Sequence, residues 1–209
     1  MKNERNYGID LLRLVLMYMV CILHTLGQGG ILEACELGTA EYRTFWLIEI
    51  LSYCAVDGFA IISGYTAVDK PRRFEKLADM WFQAFFYSFV VTVILTIAGL
   101  NPSWSVKSLI KRAMPVTFGT FWYFTAFFAL FFAIPVLNRF VFAVDERTAR
   151  IALIVMVVPC SCIELQTGVF KMDRGYSAFG LMVLYCMGAL AKRGRVFERK
   201  RTVTLAAMW

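Results

Sequence analysis

The chain has 209 residues, 59% of them apolar, with 19 phenylalanines and a mean hydropathy of +0.62. No soluble domain of this size needs so much apolar surface, and the runs that carry it approach the roughly 20 residues of a membrane crossing. The formal charge of +7 flanks those runs rather than filling a basic, aromatic-interleaved domain, which excludes a nucleic-acid-binding protein.

Six apolar segments follow one another, at residues 9–26, 45–65, 80–100, 121–137, 151–170 and 177–191, and a seventh begins at Thr202. A spanning segment must satisfy its own backbone hydrogen bonds, so these predict helices. The fold class expected is all-α: a polytopic integral membrane helical bundle, one domain over residues 1–209. The first segment does not read as a cleaved leader, because Arg13 and His24 interrupt it and no small-residue cleavage pattern follows. Between the third and fourth segments, Val106, Leu109, Ile110 and Ala113 recur at helical spacing opposite Lys107, Lys111 and Arg112. That pattern predicts a short helix lying on the membrane interface.

With the amino terminus cytoplasmic, 16 of the 22 lysines and arginines fall on the inner side. The bias of basic residues predicts that orientation. Five of the six cysteines lie within the segments, leaving Cys35 in a loop. With a single histidine far from them, four converging ligands do not assemble, so no metal site is expected.

His24 is the only histidine. Arg13 precedes it by eleven residues, about 20° from a whole number of helical turns and roughly 16 Å along the axis. The two side chains share one face. Taken singly, Arg13 reads as a residue snorkelling to the headgroups beside Asp10, and His24 as an interhelical hydrogen-bonding group. Together on one face they point to a substrate path. His24 then serves as general base, because imidazole exchanges a proton near neutral pH, and Arg13 holds an anionic group in its fork. Asp57 and Glu49 lie eight residues apart, about 80° around a helix. Either would orient the imidazole or bind a neighbouring arginine. Glu164, after Pro159, is a third candidate carboxylate. Ser63, Gly64 and Tyr65 close the second segment, where Gly64 lets the chain turn, and Lys70, Arg72 and Arg73 follow as a cationic cluster. Trp122 and Tyr123 fit an interfacial aromatic belt.

Three stretches carry a resemblance. Gly8-Ile9-Asp10-Leu11-Leu12-Arg13 followed by His24 resembles the opening of the acyltransferase-3 family of integral membrane acyltransferases. Val56-Asp57-Gly58-Phe59-Ala60-Ile61-Ile62-Ser63-Gly64-Tyr65 is similar to the end of that family's second helix. Phe121-Trp122-Tyr123-Phe124, with Pro135 beyond it, looks like the aromatic start of a later helix. The resemblance implies transfer of an acyl group, commonly acetyl, from cytoplasmic acetyl-coenzyme A to a hydroxyl of a bacterial cell-surface glycan. It places the essential base at His24 and the donor end at Arg13, and carries roles to those two residues only. From their own chemistry and position, Ser63, Tyr65, Arg72 and Arg73 are further candidate donor contacts, and Asp57 or Glu164 candidate partners of the base. The family's membrane domain holds more helices than this chain, so missing carboxyl-terminal helices or a partner subunit are also implied. The competing expectation is a transport or sensing module, or an inactive fragment, in which Arg13 and His24 do no covalent chemistry. The single base and the lack of visible inverted repeats favour the enzyme.

Overall fold

The computed structural model describes residues 6–71, 73–100, 105–160 and 176–197. Every regular element among them is a helix. In chain order they are α1 (Tyr7–Leu23, widening into a π turn at His24–Gln28), α2 (Ile31–Ala34), α3 (Ala40–Ser52), α4 (Ala55–Ala67) and α5 (Phe74–Phe85). After a second π turn (Phe86–Val90) come α6 (Val91–Ile97), α7 (Val106–Ala113), α8 (Trp122–Ala143), α9 (Glu146–Val158) and α10 (Ala178–Arg193). Side chains fix several starts. Asn6 accepts from the amides of Gly8 and Ile9, Thr39 from Tyr42, Ser105 from Ser108, Asp145 from Thr148 and Ser177 from Gly180, each supplying an acceptor to amides that have no partner within the helix.

Among the described residues, four helical stretches are long and apolar enough to cross a membrane: Tyr7–Gln28, Ala40–Ala67, Phe74–Ile97 and Trp122–Ala143. They overlap the first four segments expected from sequence, with shifted ends. The second begins five residues earlier than residue 45 and is interrupted by a turn at Tyr53 and Cys54 before resuming. The fifth segment is described only through α9 and the two residues after it. The sixth is α10, whose 16 residues reach only about 24 Å and end in Lys192 and Arg193. Among the described residues, four stretches thus meet the length and composition of a crossing, against the six counted from hydropathy. The segment expected from Thr202 lies outside the described residues. The interfacial helix predicted around Val106–Ala113 is α7.

The most enclosed element is α10. Tyr185 and Leu181 are fully buried on it, packed with Val56, Ala60 and Val68 of α4 and with Ala126, Leu130 and Ile134 of α8. Its contact with α4 is set by two glycines. A Cβ on Gly64 would collide with the carbonyl oxygen of Tyr185, and one on Gly188 with that of Ile61. Small residues let two membrane helices approach backbone to backbone. This corrects the sequence reading of Gly64 as a turning point: the helix runs on to Ala67, and the glycine makes room for α10.

The contacts also fix direction. Tyr176 donates to the Tyr53 carbonyl at one end, and Lys192 pairs with Asp69 at the other, both pairs 123 residues apart. So α4 and α10 run parallel in constant register. Trp122 stacks on Tyr176 with centroids 4.9 Å apart, while Tyr185 donates to Asn138 at 2.9 Å, which aligns α8 with them. Asn138 in turn donates to the Val68 carbonyl at 3.2 Å, tying three helices through one amide. On the other side of α4, Arg13 meets Thr66 and Leu16 packs on Gly58, so α1 runs antiparallel to it.

Candidate active site

One stripe of α1 faces its neighbours. Arg13 reaches Thr66, Leu16 is buried against Gly58, and Val20 and His24 lie beside Glu49 and Val56. These positions repeat at helical spacing. The widened turn begins only at His24, so the eleven-residue α-helical separation from Arg13 is kept.

At the Arg13 end lies a cavity of about 440 Å³. Its floor is apolar, built from Leu77, Phe127, Leu130, Phe131 and Ile134, and its rim carries Ser63, Thr66, Lys70, Arg73 and Lys76. Ser63, Thr66 and Lys70 recur along one face of α4 and its extension. Both hydroxyls donate back to carbonyls four residues earlier, Ser63 to Phe59 and Thr66 to Ile62, each at 2.8 Å. Their free lone pairs are left as acceptors, and Thr66 accepts from Arg13 Nη2 at 3.3 Å. Asp10 stands 3.6 Å from the Arg13 guanidinium. Arg73 is paired with Glu75 at 3.4 Å, both well exposed.

At the other end, a pocket of about 310 Å³ is lined by His24, Gly27, Glu49, Tyr53, Trp122 and Tyr176, among others. His24 Nδ1 lies 2.8 Å from the Val20 carbonyl. A carbonyl only accepts, so Nδ1 carries the hydrogen and the lone pair of Nε2 remains for a substrate. Glu49 is buried beside it, with Oε1 against Gly27. Tyr176 closes the pocket. Burial first, and then the negative charge of Asp57, push its phenol up to about 12, so it stays a neutral donor to the Tyr53 carbonyl.

The candidates singled out from sequence are thus only partly brought together. Ser63 and Arg73 share the cavity rim, and Arg13 joins them through Thr66. Tyr65 is not part of that rim: it turns to the other side of α4, against Phe197 and under Lys192 Nζ, 5.7 Å and 5.9 Å from its ring centroid. Asp57 follows Val56 on α4 and does not line the His24 pocket; its Oδ1 is buried with no hydrogen-bond partner among the described residues. The carboxylate at the pocket is Glu49. Arg72 and Glu164 lie outside the described residues. Thr66 and Lys76 were passed over in sequence, although Thr66 follows Ser63 at helical spacing and could have been found that way. Tyr53 and Tyr176 gave no local signal, because their meeting depends on a register set 123 residues apart.

A cation-rimmed cavity with an apolar floor suits a long anionic molecule with an apolar arm. An imidazole with a free nitrogen suits deprotonation of a hydroxyl. The model of the acyltransferase-3 family, described as an acyltransferase domain, matches residues 6–209. No curated protein and no solved structure matches the chain. The protein belongs to the acyltransferase-3 family of membrane acyltransferases.

Proposed function

We propose that this chain, held in the cell membrane with its amino terminus in the cytoplasm, moves an acetyl group from acetyl-coenzyme A to a hydroxyl of a cell-surface glycan. The observation that carries the proposal is the α1 stripe, which links the cation-rimmed cavity at Arg13 to the imidazole pocket at His24 over roughly 16 Å. That distance is comparable to an extended pantetheine arm. The donor's phosphates meet Arg13, Lys70 and Arg73, with Lys76 adding a fourth cation and Ser63 lining the same cavity. The thioester then lies near His24.

In the chemical step, Nε2 of His24 takes the proton of the acceptor hydroxyl. The oxygen forms a bond to the thioester carbonyl carbon, the carbon–sulfur bond breaks, and the proton passes to the coenzyme A thiolate. Enclosure among apolar helices strengthens each charge interaction along the way.

Retention of coenzyme A by the full chain purified in detergent tests the donor half of this reading. The parent is expected to retain it and Arg13→Ala to lose most of it. No retention by the parent would contradict the proposal and favour a transport or sensing module.

A further inference from the structure

Glu49 is 4% exposed, and no other Asp, Glu, Lys or Arg among the described residues is as enclosed. Its Oε2 is buried without a hydrogen-bond partner among the described residues. Enclosing a charged oxygen in this way is costly unless a nearby charge compensates it. Its Oε1 occupies the space left by Gly27, where a Cβ would come within 3.2 Å. Gly27 stands three residues after His24 on the widened turn, and both line the pocket that Glu49 lines. The imidazole is already oriented by its Nδ1 contact with Val20, so the carboxylate is not needed to choose the tautomer.

We propose that Glu49 is the positioning residue for His24, its carboxylate stabilising the positive charge that forms on the imidazole as Nε2 takes the acceptor's proton. The catalytic part of this inference rests on the acyl-transfer reading above. The electrostatic pairing does not. Of the two carboxylates on this stretch, Glu49 is the one that lines the pocket. The proton returns from Nε2 to the departing thiolate, so Glu49 ends the cycle unchanged and neither gains nor loses a proton.

The lone histidine makes the pairing measurable without substrate. Diethyl pyrocarbonate is attacked by the free imidazole nitrogen through a transition state that also places positive charge on the ring, and the N-carbethoxyimidazole absorbance reports one residue only. Glu49→Gln is expected to slow this reaction about tenfold, with Asp57→Asn within about twofold of the parent. Glu49→Asp, which keeps the charge, is expected to stay within about threefold, and all three variants to retain coenzyme A as the parent does. A rate in Glu49→Gln equal to the parent's, or an equal loss in Asp57→Asn or Glu49→Asp, would overturn the assignment.

The second arm uses membranes of cells expressing the full chain and radiolabelled acetyl-coenzyme A. Glu49→Gln is expected to lower kcat about 100-fold with KM for the donor unchanged, and to add nothing to the loss in His24→Ala. Additive losses, or a loss confined to KM, would contradict the proposal. If the parent membranes transfer no label, the acyl-transfer reading fails, while the carbethoxylation rates still decide whether Glu49 serves His24.

Discussion

Arg13 crosses from α1 to α4 to donate from Nη2 to the hydroxyl of Thr66, 3.3 Å away, at the rim of the apolar cavity. The contact uses Nη2, while Nη1 stands 3.6 Å from Asp10, so an anion arriving at Arg13 competes with that carboxylate. Arg13→Ala is expected to weaken coenzyme A binding about tenfold to a hundredfold, the range for a hydrogen bond to a charged group. Arg13→Lys should recover part of that, since it keeps the charge and loses the fork. Equilibrium binding in detergent measures both. Equal affinity in all three proteins would remove Arg13 from the donor site.

The pair Arg73–Glu75 gives a prediction of opposite sign. Glu75 competes for Arg73 at the cavity rim, so Glu75→Gln is expected to lower KM for the acyl donor about twofold, while Arg73→Ala and Lys76→Ala raise it severalfold. The effects should shrink as ionic strength rises, because these side chains are screened by salt. KM measured at low and high salt checks the sign and the screening together.

The helix crossing at Gly64 and Gly188 predicts where the fold is least tolerant. Each added methyl meets a backbone carbonyl rather than a yielding side chain. Gly64→Ala or Gly188→Ala should cost at least the roughly 1–3 kcal/mol typical of overpacking. The double substitution should cost less than the sum, since both act on one crossing. Thermal unfolding in detergent measures this, and an unchanged midpoint in Gly188→Ala would refute the close approach.

Asn138 bonds to both α10 and α4, through the Tyr185 hydroxyl and the Val68 carbonyl. Tyr185→Phe removes one of these and is expected to cost about 1 kcal/mol, within the range for side-chain hydrogen bonds inside membrane proteins. Asn138→Ala removes both and should cost more. If Asn138→Ala were the milder change, the amide would not be tying the helices together.

Much of this was legible in the sequence because it is local. Arg13 and His24 share a face by helical arithmetic alone, and the interfacial helix shows in the spacing of Val106, Leu109, Ile110 and Ala113. The number of crossings was less legible. Hydropathy counts α10 as a span, and the same apolar residues are those that pack against α4 and α8. Apolar sequence has the same composition whether lipid or protein faces it. The role of Gly64 was misread for a similar reason: a glycine near an apparent helix end looks like a turn until the partner backbone, 121 residues later at Tyr185, is in place. The choice between Glu49 and Asp57 also needed the tertiary structure. Both are carboxylates on one apolar segment, and which of them lines the His24 pocket depends on how α3 and α4 pack against α1.

The most direct test of the account is acyl transfer in membranes carrying the parent chain or His24→Ala, each supplied with radiolabelled acetyl-coenzyme A and assayed for base-labile label in envelope glycan. The account predicts label from the parent, loss of at least about 100-fold in the variant, and equal retention of coenzyme A by both. Transfer by His24→Ala at the parent's rate would contradict it.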